Sequence, residues 1–285
     1  MTILAPAKLN LHLAVKNKRS DGFHDIESVF VALNFGDIIH FDPIPGKNSL
    51  EIAMPGAKPG LPVEKNIIFH ALSLFRSKTG FDQGIKITVE KKIPIGGGLG
   101  GGSSNAAATL LALNKLSSSP MPKDALLELA AALGSDVPFF VHETPAAWVT
   151  GRGERIEPLE MPFYHFVLVN PGFPSDTAAA YRLFDEKGKK GDSHPFPPAK
   201  KGDCHLLSFY NDFLPVFPDP EKSVYGKIIS QLQELGAGFA SLSGAGSTCF
   251  GVFGDKAQAE EAAAAMRGEW GFAECCESIE FSRIE

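Results

Sequence analysis

Apolar and polar residues alternate over residues 8–15, with Leu9, Leu11, Leu13 and Val15 on one side and Lys8, Asn10, His12 and Ala14 on the other. A repeat of two is the strand period, so this segment predicts a half-buried strand whose second face carries Lys8 and Asn10 in the same direction. Further extended segments are predicted over 26–34, 38–41, 50–52 and 85–89, punctuated by Pro and Gly. The period then changes. Asn66 stands as a cap before Ile67, Ile68, Ala71, Leu72 and Phe75, and Gly80 supplies a stop, which predicts a helix. A second helix is expected to open at Ser103 or Ser104 and run through alanines to Leu116, and a third to run from near Pro122 to Leu133 and Gly134.

Beyond a turn at 150–154, the pattern predicts a strand at 166–169 and a helix from Ser175 or Asp176 through Tyr181. There follow a helix ending at Leu235 and Gly236, a glycine turn at 243–246, a strand at 249–253, an alanine-rich helix from Asp255 and a last strand. Mixed order of this kind implies an α+β fold rather than a doubly wound sheet. A length of 285 residues suits two domains, and the boundary is placed near 155, giving 1–155 and 156–285. Residues 188–203, rich in Lys, Gly and Pro and without periodicity, read as a mobile surface loop.

Composition narrows the function classes. The formal net charge is -6 and the pI about 5.8, so no global basic field draws in nucleic acid or an anionic membrane. Cys204, Cys249, Cys275 and Cys276 have a spacing that suits neither a tetrahedral zinc site nor a disulfide framework. Pro6, Lys8 and Asn10 interrupt the N-terminal apolar stretch, and no membrane-length apolar run occurs. A cytoplasmic protein with reduced thiols, with neither nucleic acid nor membrane as partner, is the expectation.

The segment Pro94, Ile95, Gly96, Gly97, Gly98, Leu99, Gly100, Gly101, Gly102, Ser103 and Ser104 lies between an alternating strand and an alanine-rich helix. Glycines allow close approach, their N–H groups can converge on anionic oxygens, and a helix start adds partial positive charge. A phosphate cradle is expected, with Ser103 and Ser104 capping the helix or reaching phosphate and Mg²⁺. Gly96, Gly98 and Gly101 formally match the dinucleotide fingerprint, weakly in a run of glycines, and a Walker A loop is excluded because no Lys follows.

Charge for phosphoryl transfer must then come from elsewhere in the chain. Asp136, after a predicted helix end and just ahead of Pro138, places a carboxylate on a tight turn. Lys8 is the other candidate: a carboxylate can accept a hydroxyl proton while an ammonium steadies the alkoxide. A turn aspartate and a solvated strand lysine are the bland alternatives. Ser243, Gly244, Ala245 and Gly246 form a second turn able to wrap a phosphate or close a hairpin, and Phe23 beside His24 could stack on a base and read its edge or simply pack a loop.

Together these segments resemble the GHMP kinase superfamily, which includes galactokinase, homoserine kinase and mevalonate kinase. Residues 94–107 resemble its ATP loop, 133–138 the segment of its catalytic aspartate, and 241–253 its C-terminal glycine motif. The resemblance implies a two-domain α+β fold, an N-terminal domain like ribosomal protein S5 domain 2 with a ferredoxin-like C-terminal domain, and ATP held at the cleft between them. Residues 6–11, 21–24, the doubled glycine triplet, Asn211 and Asp212 are similar to a branch whose small-molecule acceptor carries a cytidine diphosphate moiety. For that branch the match implies Asp136 as general base with Lys8 as partner, Asn10 positioning the acceptor, and Mg²⁺ carried in by ATP. It also implies Phe23 and Tyr181 as stacking rings, His24 as edge reader, Gly244 and Gly246 at the substrate, and Asn66 near the adenosine. Phe23 stands where the branch usually has tyrosine. Other acceptors of the superfamily, or a noncatalytic nucleotide sensor on the same fold, are the alternatives.

Overall fold

A computed structural model describes residues 1–54, 63–187 and 209–279. The elements run β1 (Thr2–Lys18), β2 (His24–Ile44), β3 (Leu50–Ala53), a 3-10 turn at Val63–Lys65, α1 (Ile67–Thr79) and β4 (Gly84–Glu90). Next come α2 (Gly101–Leu116), α3 (Lys123–Leu133), α4 (Val137–His142), β5 (Ala146–Thr150), β6 (Arg155–Pro158) and β7 (His165–Asn170). The chain closes with α5 (Thr177–Lys187), α6 (Glu221–Glu234), β8 (Phe239–Leu242), β9 (Cys249–Phe253), α7 (Lys256–Trp270) and β10 (Phe272–Glu277).

Two compact units make up the chain. The first comprises Met1–Ala7, Phe35–Ile93 and Gly100–Thr144. In it β4 pairs antiparallel with the later part of β2, Ile38 opposite Glu90 through Ile44 opposite Gly84, and parallel with β3. Helices α1, α2, α3 and α4 pack on one another. The expected cap of α1 is present: Asn66 Oδ1 accepts from the Ile68 N–H at 3.0 Å, and Gly80 ends the helix in the left-handed region at φ 71°, where a Cβ is strained.

The second unit comprises Lys8–Asn34, Pro94–Leu99 and Pro145–Glu285. Its antiparallel sheet has the order β10-β7-β9-β8, with α6 on β8 and β9 and α7 on β7 and β10. A β-α-β-β-α-β chain with that strand order is the ferredoxin-like split arrangement, as expected for the C-terminal part. The core includes Val167, Val169, Phe213, Tyr225, Ile228, Leu242, Phe253, Ala259 and Met266; at about 25 cal/mol per Å² of apolar surface buried, such packing is the main force holding the unit together.

Several sequence expectations need correction. The first strand spans 17 residues, and both of its faces are covered from Ala7 to Val15, so Lys8, Asn10 and His12 are buried polar groups rather than a solvated edge. The strands expected at 26–34 and 38–41 are one continuous strand. Helix α2 starts at Gly101 with Gly100 as its N-cap, at φ 70° and without a side-chain cap, so neither Ser103 nor Ser104 caps it. Periodicity missed α4, whose six residues are too few to display a helical period, and β5, β6 and β8. Cys204 and the whole loop expected at 188–203 lie outside the described residues, as does the stretch 55–62. No described helix is long and apolar enough to cross a membrane.

Candidate functional site

In the second unit the first half of the glycine loop is held by its carbonyls. Gly96 O accepts from the N–H of Ser175 at 2.9 Å and of Ser247 at 3.3 Å, and Gly97 O from Thr248 N–H at 3.1 Å. Gly98 O accepts from the Ser243 hydroxyl at 3.0 Å, and Leu99 O from the Lys8 N–H at 3.0 Å. In a planar trans peptide the next N–H points opposite to the carbonyl, so tying down four successive carbonyls turns the following amides the other way. Gly96, Gly98 and Gly100 take positive φ at alternate positions, an alternation by which amide N–H groups form an anion-binding concavity. A Cβ on Gly98 would meet Ser243 O at 2.2 Å and Gly246 O at 2.7 Å, so this residue must be glycine.

The turn from Ser243 to Thr248 is itself braced. Ser243 N–H donates to Thr248 O at 2.9 Å and Gly246 N–H to Ser243 O at 2.9 Å. Asn211 Nδ2 donates to Leu242 O and Gly244 O, and the Asp212 carboxylate accepts from Val15 N–H at 2.8 Å. Asn170 donates to Ser247 and Thr248 at 3.2 and 3.0 Å, and Ser247 Oγ donates to Phe173 O. A Cβ on Gly244 would stand 3.3 Å from Asn10 Oδ1. Lys8, Asn10, the loop from Gly96 to Leu99, and Gly244 and Gly246 are therefore one cluster.

Lys8 is 4% exposed, and its Nζ donates to Asn10 Oδ1 at 2.5 Å and lies 4.6 Å from the centroid of Phe30. Ammonium groups are rarely buried without a task because desolvation is costly. The reading of Lys8 as a solvated strand lysine is thereby removed.

A second cluster in the same unit carries the aromatic residues. The His24 ring lies on Tyr181, with centroids 5.0 Å apart and 17° between planes, and Phe213 meets Tyr181 edge-on at 4.9 Å. His24 is buried, while Phe23 is 48% exposed with the Arg152 guanidinium 4.9 Å over its ring. One face of Tyr181 is thus taken by His24, and the open apolar ring of the group is Phe23. His24 Nε2 lies 2.7 Å from Asp185 Oδ1, and Lys18 Nζ 2.5 Å from Asp185 Oδ2. Sequence reasoning missed Asp185 and Arg152, because each meets its partner, His24 or Phe23, across more than a hundred residues of chain.

In the first unit Gly101 packs tightly, its Cβ position 3.0 Å from Ile93 Cγ2 and 3.1 Å from Lys91 Nζ, whereas Gly102 has nothing within 4 Å. The segment entering the loop is anchored by Asp37, fully buried, which accepts from Lys91 Nζ at 2.5 Å and from the N–H groups of Lys92 and Ile93 at 2.8 and 2.9 Å. Ser103 is partly covered, and Ser104 is buried with its Oγ lacking a hydrogen-bond partner among the described residues. Asp136 is the N-cap of α4, with helical backbone and no side-chain capping bond. Helices α2 and α4 pack together. Asn66 has its Oδ1 committed to capping α1 and its Nδ2 3.4 Å from Met54 Sδ.

Comparisons with known proteins agree with this architecture. Residues 66–144 match the GHMP kinases N terminal domain, and 208–271 match GHMP kinases C terminal. A protein of Burkholderia thailandensis named 4-diphosphocytidyl-2-C-methyl-D-erythritol kinase is 38% identical over 94% of this chain and 90% of its own length. A Burkholderia mallei protein of the same name is 37% identical over 95% and 91%. A crystal structure of 4-(cytidine 5'-diphospho)-2C-methyl-D-erythritol kinase aligns with a TM-score of 0.79 and 31% identity, covering 98% of this chain and all of that one. Homoserine kinase from Cytophaga hutchinsonii, at 19% identity and a TM-score of 0.68 over 98% and 94%, shares the fold.

Proposed function

We propose that this chain, which belongs to the 4-diphosphocytidyl-2-C-methyl-D-erythritol kinase family of the GHMP kinases, transfers the γ-phosphoryl group of ATP to the 2-hydroxyl of 4-diphosphocytidyl-2-C-methyl-D-erythritol. The products are ADP and the 2-phosphate, in a step of non-mevalonate isoprenoid precursor biosynthesis. The observation that carries the reading is the buried Lys8 ammonium, 2.5 Å from Asn10 Oδ1 on the strand whose Lys8 N–H holds the glycine loop at Leu99.

In this reading the amides from Gly98 to Gly102 and the start of α2 receive the ATP phosphates, while the Gly97 N–H braces the loop on Pro94 O. Asn10 orients the acceptor hydroxyl, Asp136 takes its proton, and Lys8 steadies the developing alkoxide. The new bond joins that oxygen to the γ-phosphorus as the bridging bond to the β-phosphate breaks and its electrons leave with ADP. Because phosphoryl transfer is usually loose, placement counts as much as basicity. No cluster of three His, Cys, Asp or Glu side chains able to hold a metal occurs among the described residues. Neutral hydroxyl oxygens at Ser103 and Ser104 fit Mg²⁺ that arrives with ATP, where it would neutralise phosphate charge. Phe23 supplies the stacking face for cytosine, and His24, seated on Tyr181, reads its edge.

The test is a panel of 4-diphosphocytidyl-2-C-methyl-D-erythritol, mevalonate and homoserine with ATP and Mg²⁺, read by ADP release. Turnover of the cytidylyl acceptor is expected, and turnover of another acceptor in its place refutes the reading. Asp136→Asn is expected to lower kcat severely with ATP affinity nearly intact, and near-normal turnover rejects the role of Asp136.

A further inference from the structure

Asn10 makes two side-chain contacts of opposite polarity. Its Oδ1 faces Lys8 Nζ at 2.5 Å, and its Nδ2 faces the Ser28 hydroxyl at 2.9 Å. An ammonium has only protons to offer, so the oxygen of the amide must be the atom turned to Lys8. Nothing in the amide itself enforces that choice, since its oxygen and nitrogen ends have nearly the same shape. Flipped by 180°, Asn10 would aim an NH₂ group at a buried cation.

Ser28 removes the ambiguity. Its Oγ is 2.5 Å from the carbonyl oxygen of His12, a pure acceptor, so the hydroxyl proton is committed there and Oγ presents only lone pairs to Asn10. A group presenting only lone pairs accepts Nδ2–H and repels Oδ1. Ser28 is fully buried, so water does not substitute for the hydroxyl. The chain of donation is single-valued: Lys8 to Asn10, Asn10 to Ser28, Ser28 to the backbone of β1. Each buried polar group along it would incur a desolvation penalty if left unpaired.

We infer that Ser28 is a positioning residue for phosphoryl transfer, which fixes the amide orientation of Asn10 and through it the direction of the Lys8 ammonium. The inference rests on the roles of Lys8 and Asn10 proposed above. Ser28 itself touches neither substrate nor phosphate; its effect reaches the reaction through Asn10 alone.

The experiment compares Ser28→Ala and Ser28→Thr with the unaltered protein for kcat, for KM of the cytidylyl acceptor and of ATP, and for thermal unfolding. Ser28→Ala is expected to lower kcat by about tenfold or more, with KM for ATP changed by less than about twofold, as fits the loss of one aligned interaction in the transition state. Ser28→Thr, which keeps the hydroxyl, is expected to recover most of the rate. Unchanged kcat in Ser28→Ala overturns the inference, as does a Thr variant impaired as severely as the Ala variant, or a rise in ATP KM matching the fall in kcat. Should Ser28→Ala fail to fold, Ser28→Cys fills the site with a slightly larger group that is only a weak acceptor, and normal kcat there overturns the inference too. Absence of turnover in the unaltered protein refutes the functional reading and this inference with it, whereas normal turnover with an unimpaired Ser28→Ala refutes the inference alone.

Discussion

His24 is tied to Asp185, its Nε2 lying 2.7 Å from Oδ1. An ionised carboxylate accepts only, so the neutral imidazole carries its proton on Nε2 and leaves Nδ1 as an acceptor. The Lys18 hydrogen bond holds the Asp185 carboxyl below its usual range against the desolvation that would raise it, and His24 adds to that hold. An imidazole nitrogen fixed as an acceptor suits an exocyclic amine such as that of cytosine.

From this pair follows the first prediction. Asp185→Ala frees the tautomer and ring angle of His24, and KM for the cytidylyl acceptor is expected to rise by about tenfold, equivalent to about 1.4 kcal/mol. ATP KM should stay unchanged and kcat should fall little. Steady-state kinetics with each substrate varied in turn checks it, and an unaltered acceptor KM removes Asp185 from base recognition.

The glycine loop supplies a contrast between two neighbouring glycines. A Cβ at Gly98 meets two backbone carbonyl oxygens, at 2.2 and 2.7 Å, from a positive φ of 75°, so Gly98→Ala is expected to displace the loop, abolish saturable ATP use and lower Tm. Gly102 has open space around it within a helix, where alanine is favoured over glycine by about 1 kcal/mol. Gly102→Ala should therefore raise thermal stability while its methyl group raises KM for ATP. Calorimetry and ATP kinetics on both variants decide it: a neutral Gly98→Ala would mean that the loop's fit to the Ser243 turn is not needed.

Much of the fold is legible in the sequence, as are several members of the candidate site, and the failures have a common cause. Local chemistry at Asn66, Gly80 and Asp255 declares helix ends, and the caps at both Asn66 and Asp255 are present. The glycine loop is readable as a connection between a strand and a helix, and it stands between β4 and α2. Alternation along β1 correctly gives a strand but misjudges its second face. Asn10 and His12 are polar, and nothing in a period of two reveals that a polar face is covered. Ser28, Asp37, Arg152 and Asp185 escape such reading because their meaning lies in partners between 16 and 167 residues away that only the folded chain brings near.

Asp37 illustrates such a hidden support. One buried carboxylate collects Lys91 and two backbone N–H groups ahead of Pro94, so Asp37→Ala leaves three donors, one of them charged, without their acceptor. A loss on the order of 3 kcal/mol in urea unfolding is expected for breaking one side of a buried pair. Asp37→Asn, able to accept the two amides but not to balance Lys91, should lose less. KM for ATP should rise in both, in the same order as the stability loss. Equal stability of all three proteins would show that the anchor is redundant.

His12 gives a prediction about pH. It is fully buried, stacked on Trp148 at 6.3 Å and met edge-on by Tyr210 at 4.5 Å, and its Nδ1 accepts from the Tyr210 N–H at 3.5 Å. Burial, with a smaller contribution from nearby Lys16, lowers its pKa from 6.5 to about 4. The unfolded chain therefore binds a proton between those values that the native chain refuses, and the unfolding free energy rises with pH across that window. The stabilisation is complete above about pH 6.5 and is lost progressively as pH falls toward about 4, for a total on the order of 3 kcal/mol. Urea unfolding from pH 7 to pH 4 should show this slope, and His12→Gln, which cannot titrate, should show a shallower one over the same interval. Parallel slopes in the two proteins would assign the proton uptake to other groups.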